Sequence, residues 1–529
     1  MPHESDNEIL RFVDQAVAGK LTRRDVLRRA VAFGFGVPAI AALLAACGDD
    51  DEEEEATATS APAGGGTEEE AATEEEAPTE EEMATEEEEA TEEEAPTEEE
   101  MATEEEAPTE EEGGGEITLE NPPEVANADA ASQYSGAKIA YYGDTVGIGA
   151  ELDNALASKF NEATGIEVEV IPKPQSATEN FSTYARLFEG KSADIDVMML
   201  DVIWPGSFAP HLVDLNEYFT DDEKSQWFDT IVQNNTVDDK FIAAPWFGDF
   251  GMLYYRTDLI EKYGFDGPPQ TWDELEEMAN TIMEGEQADN ANFFGLVFQG
   301  NAYEGLTCDG LEWQASSGGG TIVENGEVTL NNDEAIAAFE KAAGWIGGIA
   351  PRDVTTYQEE DAREVFQGGN SAFMRNWPYA YALALDGSPV ADVFDVAPLP
   401  AQEGSDHVGT LGGWQLGVST YSNNVEAAVE FVRYMTSADV VKYRSVVGSY
   451  VPLIPSVAED ADVLEAMPFL ETMTDVVRVT RPSAEARDLY NEVSTAYFQG
   501  LNAILNGSDA SSEVENMADD IQDLLDELG

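Results

Sequence analysis

The chain has 529 residues, 42% of them apolar and eight of them Trp, which is more than one core requires. Its 109 acidic side chains against 25 basic ones leave a net charge of −84, which disfavours nucleic-acid phosphates and anionic lipid head groups as partners. Three His and two Cys, with no CxxC, give no zinc or redox pattern, so neither a metal nor a cofactor is expected. The charge is unevenly spread. Residues 1–48 are near neutral, residues 49–116 hold 33 acidic and no basic side chains, and the remainder holds 71 acidic and 19 basic.

Thr22-Arg23-Arg24-Asp25-Val26-Leu27-Arg28 resembles a twin-arginine export signal, with Val26 where Phe is usual. A moderately apolar run follows over 30–46 and ends in Leu44-Ala45-Ala46-Cys47-Gly48. That ending is similar to a bacterial lipobox, in which the Cys is acylated and becomes the new N-terminus. An uncleaved signal anchor is the alternative, but glycines weaken the run and the composition changes abruptly after Cys47. Residues 1–47 are therefore expected to be a twin-arginine lipoprotein signal. Its product would be held by a lipid on Cys47 at the extracytoplasmic face of the cytoplasmic membrane.

Residues 48–133 are expected to form an acidic tether. Ala-Pro-Thr-Glu-Glu-Glu recurs from Ala77, Ala95 and Ala107, and dense like charge with few apolar residues cannot offset the entropy of ordering. A cation-binding tail is the functional alternative to a solvated spacer.

From 134 to 529 strand and helix patterns alternate. Residues 138–142 read as a strand, and 151–164 as a helix with Leu152, Leu156 and Phe160 on one face, stopped at Gly165. Residues 166–171 alternate as a strand, and 195–200 are almost continuously apolar, as in a strand covered on both faces. Thr271-Trp272-Asp273-Glu274 is a capping box, and Asn332 and Asn424 are expected to cap two further helices. This is an α/β pattern too long for one lobe. The expected division is 137–245 with 391–440 in the first lobe, and 250–385 with 441–529 in the second.

Five segments place large aromatics beside Gly, Pro and single charges: 200–206, 245–251, 375–380, 412–415 and 481–483. A pyranose offers flat C–H faces that stack on Trp or Tyr and a rim of hydroxyls that bond to carboxylates and Arg. The residues expected to contact such a ligand are Asp201, Trp204, Trp246, Asp249, Trp377, Tyr379, Gly413, Trp414 and Arg481. The bland reading of each Trp is a core residue, of each Asp a turn or cap, and of Arg481 a salt-bridge partner. Asp144, in the loop after the first strand, is a weaker candidate. Cys308 is read as a buried small hydrophobe.

At these residues residues 137–510 resemble the family 1 extracellular solute-binding proteins of ABC importers, closest to the trehalose/maltose type. The resemblance is carried by Asp-Val-Ile-Trp-Pro-Gly (201–206), Tyr-Tyr-Arg-Thr-Asp-Leu (254–259), Pro-Pro-Gln-Thr-Trp-Asp-Glu-Leu (268–275) and Tyr-Glu-Gly-Leu-Thr-Cys (303–308), completed by the segments around Trp377 and Trp414. It implies a periplasmic-binding-protein type II-like fold, with two α/β lobes joined by hinge strands. It further implies a monomer that closes on a di- or oligosaccharide and delivers it to membrane permease subunits, with no catalytic residues of its own. Phe247 stands where relatives can carry Tyr. A non-sugar solute, delivery to a sensor, or a glycosidase built on Asp201 and Asp249 are the competing readings.

Overall fold

A computed structural model describes residues 117–528. The export signal, Cys47 and the glutamate repeats lie outside the described residues. The tether expectation fails at its C-terminal end. Residues 117–131 pack on the body, with Val125 and Ala131 buried. The Tyr443 hydroxyl donates to the Leu119 carbonyl at 2.8 Å, Tyr434 to that of Pro123 at 2.9 Å, and Asn127 Nδ2 to Glu430 at 2.7 Å. The glutamate repeats end before this stretch, and apolar Ile117, Leu119 and Val125 supply the surface that the repeats lack.

The chain first lays down β1 (Lys138–Gly143), β2 (Glu167–Pro172), β3 (Val197–Asp201) and β4 (Ala244–Phe250). It then builds a second sheet from β5 (Met252–Arg256), β6 (Phe294–Val297), β7 (Ser371–Asn376) and β8 (Phe394–Ala397), and returns to the first with β9 (Val408–Val418), β10 (Val451–Pro452) and β11 (Val477–Val479). The larger sheet runs β10-β4-β9-β3-β1-β2 with β11 alongside β9, and the smaller runs β8-β5-β7-β6. The parallel trio β2-β1-β3 meets β9 antiparallel, so the sheet is mixed.

Local chemistry sets most of the elements. The five residues of β3 are all buried, the first four as their unbroken apolar run requires. The helix Gly149–Thr164 ends at Gly165, whose φ of +74° suits glycine. The capping box at Thr271 forms in both directions, and Asn332 Oδ1 accepts from Ala335 N at 2.8 Å. Asn424 differs. The helix Val425–Met435 does begin after it, but its side chain makes no cap and instead donates to the Lys138 carbonyl at 3.0 Å, tying the helix to β1.

Strand pairing crosses the expected lobe division. β8 lies within the stretch assigned to the first lobe, yet it pairs antiparallel with β5 in the smaller sheet. β10 and β11 lie in the stretch assigned to the second lobe, yet they pair with β4 and β9 of the larger sheet. A strand's hydrogen-bonding groups go to whichever sheet edge is within reach, and helix and strand patterning carries no record of that choice. The C-terminal helices Tyr490–Leu505 and Ala510–Leu528 pack on Glu304–Ser316 and Asp333–Trp345, beside the smaller sheet.

Candidate ligand cleft

Three adjacent strands of the larger sheet supply one wall. Asp201 ends β3, and its register partner on β9 is Trp414. Across the other edge of β9, Gly413 lies opposite Gly248 and Gly412 opposite Asp249 on β4. The ladder slips between Trp414 and Gln415, and Gly413 adopts φ +128°. A Cβ at 413 would lie 2.6 Å from the Phe247 carbonyl oxygen and 2.9 Å from Gly248 Cα, so a side chain there would collide with backbone.

The facing wall comes from the smaller sheet and its helices. Trp377 follows β7, and the Arg375 guanidinium stacks 3.9 Å from its ring centroid. Arg375 is fixed in turn by a bidentate pair to Glu312 at 2.8 and 2.6 Å. Trp377 Nε1 points to Glu359 Oε1 at 3.4 Å, and its ring crosses Gly412, where a Cβ would come within 3.2 Å of it. The Tyr379 hydroxyl donates to Glu360 at 2.7 Å. On the first wall Trp414 is matched to Trp377 in kind: Lys173 Nζ sits 4.5 Å from its ring centroid and 3.7 Å from Asp144.

Arg481 joins the two halves. Its Nη1 donates to Glu304 at 2.8 Å and its Nη2 to Asp201 at 2.9 Å. Glu304 opens the helix Glu304–Ser316 and also accepts from Tyr490 and Ser494. Burial raises its pKa, and the Arg481 charge opposes that shift. Asp249 is held well above the usual carboxylate range, first by burial and then by the nearby charges of Asp144 and Asp201. Burial also raises Glu359.

These side chains enclose about 690 Å³ of atom-free space counted to its mouth, within the roughly 300–1,000 Å³ usual for small-molecule clefts. Asp201, Asp249, Trp377, Tyr379, Gly413, Trp414 and Arg481 all border it. Trp204 and Trp246 do not, and for these two the core reading holds. Trp246 is 1% exposed and donates to the Met435 carbonyl at 3.0 Å. It falls on the opposite face of β4 from Phe247 and Asp249, as strand alternation dictates. Trp204 is 2% exposed and packs edge-on behind Trp414 at 5.6 Å between centroids.

Sequence reasoning missed Lys173, Glu304, Glu359 and Tyr450, all of which border the same space, and gave Asp144 too little weight. Lys173 sits between two prolines just past β2, a signal that was available. Glu359 begins a run of three acids at a helix start, which reads as solvated surface. Cys308 is buried as expected, and it too borders the space; burial pushes its thiol pKa up.

A family model described as bacterial extracellular solute-binding protein matches residues 142–442. A probable ABC transporter-binding protein of Deinococcus radiodurans is 46% identical over 385 residues, covering 72% of this chain and 92% of the relative. The solved structure of maltose-bound MalE3 of T. maritima superposes with a TM-score of 0.68 at 38% identity, over 74% of this chain and 100% of that one. A galactooligosaccharide-binding protein of Bacillus subtilis is 21% identical over 402 residues, 73% of this chain and 88% of the relative. The shared fold is periplasmic-binding-protein type II-like.

Proposed function

The chain belongs to the bacterial extracellular solute-binding proteins and is the extracytoplasmic solute-binding component of an ABC transporter, and from that premise we propose that it captures a di- or oligosaccharide of the trehalose/maltose type. The observation that carries this reading is the pairing of two indoles, Trp377 and Trp414, one on each wall of a single cavity, with Arg375 stacked on the first and Lys173, itself at the cavity, beside the second. Stacking platforms of this kind suit the C–H faces of pyranose rings, with Arg375 stacked on Trp377 and Trp204 packed edge-on behind Trp414 holding the two rings in place. Between them lie Asp249, Glu359 and the Asp201–Arg481–Glu304 bridge, which can accept from or donate to sugar hydroxyls.

The two walls come from different sheets, so a ligand that touches both favours the closed arrangement over any open one. A permease then takes the solute, as in this family of transport components. The lipid on Cys47 and the glutamate-rich stretch after it would keep the receptor at the membrane yet free to dock.

Isothermal titration of the full chain with maltose, trehalose, glucose and mannitol tests the reading. One-to-one binding of a disaccharide, at least about tenfold tighter than glucose or mannitol, is the expected result. Absence of binding to every saccharide would overturn it.

A further inference from the structure

The charges on the cavity walls carry a consequence for which saccharides can enter, and it rests on the sugar-capture reading. Each cation near the cavity is already committed. Arg481 lies between Asp201 and Glu304, and Lys173 faces Asp144. Arg375, behind Trp377, is bonded to Glu312 and lies 3.0 Å from Asp309. Arg444 is paired with Asp153 at 2.7 Å and lies 3.7 Å from Asp144.

Asp249 and Glu359 have no such partner. Among the described residues neither takes part in an ion pair. Among the described residues no hydrogen bond reaches the Asp249 carboxylate. Glu359 has the Trp377 indole at 3.4 Å and the Tyr303 hydroxyl beside it, and the Arg375 charge, already paired with Glu312, acts on both carboxyls only at a distance. Asp249 comes from β4 of the larger sheet, and Glu359 opens a helix beside the smaller one. They border the same enclosed space from opposite halves.

We propose that Asp249 and Glu359 make the cleft selective by charge, so that it takes neutral and amine-bearing saccharides and rejects those carrying a carboxylate, sulfate or phosphate. An anionic ligand must shed its hydration here with no uncommitted cation to meet it, and whatever charge Asp249 and Glu359 carry, each already disfavoured by burial, adds to the penalty. A neutral sugar instead brings hydroxyl donors to both, and an ammonium brings the missing charge. The selection works by penalising the wrong ligand as much as by favouring the right one.

The overall acidity of the chain also repels anions, but that long-range part is screened by salt, whereas repulsion inside the cavity is screened far less. The two contributions can therefore be separated.

The test uses three ligands that differ only at C1: maltitol (CH2OH), maltobionate (COO−) and 1-amino-1-deoxymaltitol (CH2NH3+). Each is titrated into the full chain at pH 7 in 0.5 M NaCl by calorimetry. Maltobionate is expected to bind at least about thirtyfold more weakly than maltitol, and the amine at least as tightly as maltitol. In the double variant D249N/E359Q the ratio of maltobionate to maltitol affinity should recover by about tenfold or more. The single variants D249N and E359Q should each recover part of it, which keeps the test alive if the double variant does not fold.

Maltobionate binding within threefold of maltitol would overturn the proposal, as would a ratio untouched by every folded variant. Either result would leave the sugar reading intact, because maltitol would still bind. If no neutral saccharide binds, the sugar reading fails and this inference falls with it.

Discussion

Replacing Gly413 by Ala should unfold the protein well before it weakens any single ligand contact. Two costs act together. The backbone at 413 has φ +128°, a region that L-residues occupy only with about 1–3 kcal/mol of strain. The added methyl would also lie 2.6 Å from the Phe247 carbonyl oxygen and 2.9 Å from Gly248 Cα. Both are atoms of β4, which is held between β9 and β10, so the clash can be relieved only by moving a strand inside a sheet. Overpacking of this kind costs about 1–3 kcal/mol more. The sum is a loss of about 2–6 kcal/mol.

Gly412→Ala is the matched control. Its methyl meets Asp249 Cβ at 3.1 Å and the Trp377 ring at 3.2 Å, contacts that a few tenths of an ångström of give relieve, most of it from the Trp377 side chain. Urea unfolding followed by Trp fluorescence reads stability, and calorimetry with a disaccharide reads affinity. Gly413→Ala should lower the unfolding midpoint strongly, whereas Gly412→Ala should keep most of the stability and lose affinity through the displaced Trp377. If Gly413→Ala unfolds within about 0.5 kcal/mol of the parent, the close-approach argument is wrong.

Trp377→Ala and Trp414→Ala should each weaken disaccharide binding by roughly 30-fold or more with modest loss of stability, since both rings border the cavity. Trp246→Ala should do the reverse, costing about 3–5 kcal/mol of stability; a large affinity loss at unchanged stability would contradict its place in the core. Arg481→Met leaves Asp201 and Glu304 without their shared cation and should cost about 3–5 kcal/mol at pH 7, measurable by urea unfolding. That cost should shrink in acid, where Glu304 protonates more readily than an ordinary glutamate. Asp249 gives a signed pH dependence. Its folded pKa lies above its unfolded one, so the stability it contributes is complete below the usual carboxylate pKa and is lost as pH rises through the raised value. Thermal melts of Asp249→Asn across that window should show a shallower fall with pH than the parent; identical profiles would refute the assignment.

How much of this was legible beforehand depends on the range of the physics involved. The run through β3, the stop at Gly165 and the capping box at Thr271 are set by neighbours in sequence, and they appear where local chemistry places them. The aromatic segments were legible too, because large rings beside Gly, Pro and single charges stand out, although 245–250 and 412–415 prove to be strand. Even there, the glycines beside Trp414 favoured it over Trp204, yet both stood as ligand contacts. Which of them borders the cavity depends on one packing behind the other at 5.6 Å, and no local pattern records that. The same holds for Glu304, Glu359, Lys173 and Tyr450, which are widely separated along the chain and converge only when the two sheets face one another.

The sequence by itself therefore determined the elements, the acidic leader and the family, all of which rest on composition, short-range periodicity and contiguous motifs. The tertiary structure alone decided which strands share a sheet, that residues 117–131 join the body, and that Asp249 and Glu359 border one cavity while its cations pair with other carboxylates. Those outcomes are set by long-range strand pairing and by how far each charge lies from its nearest partner, and neither distance is encoded by position along the chain.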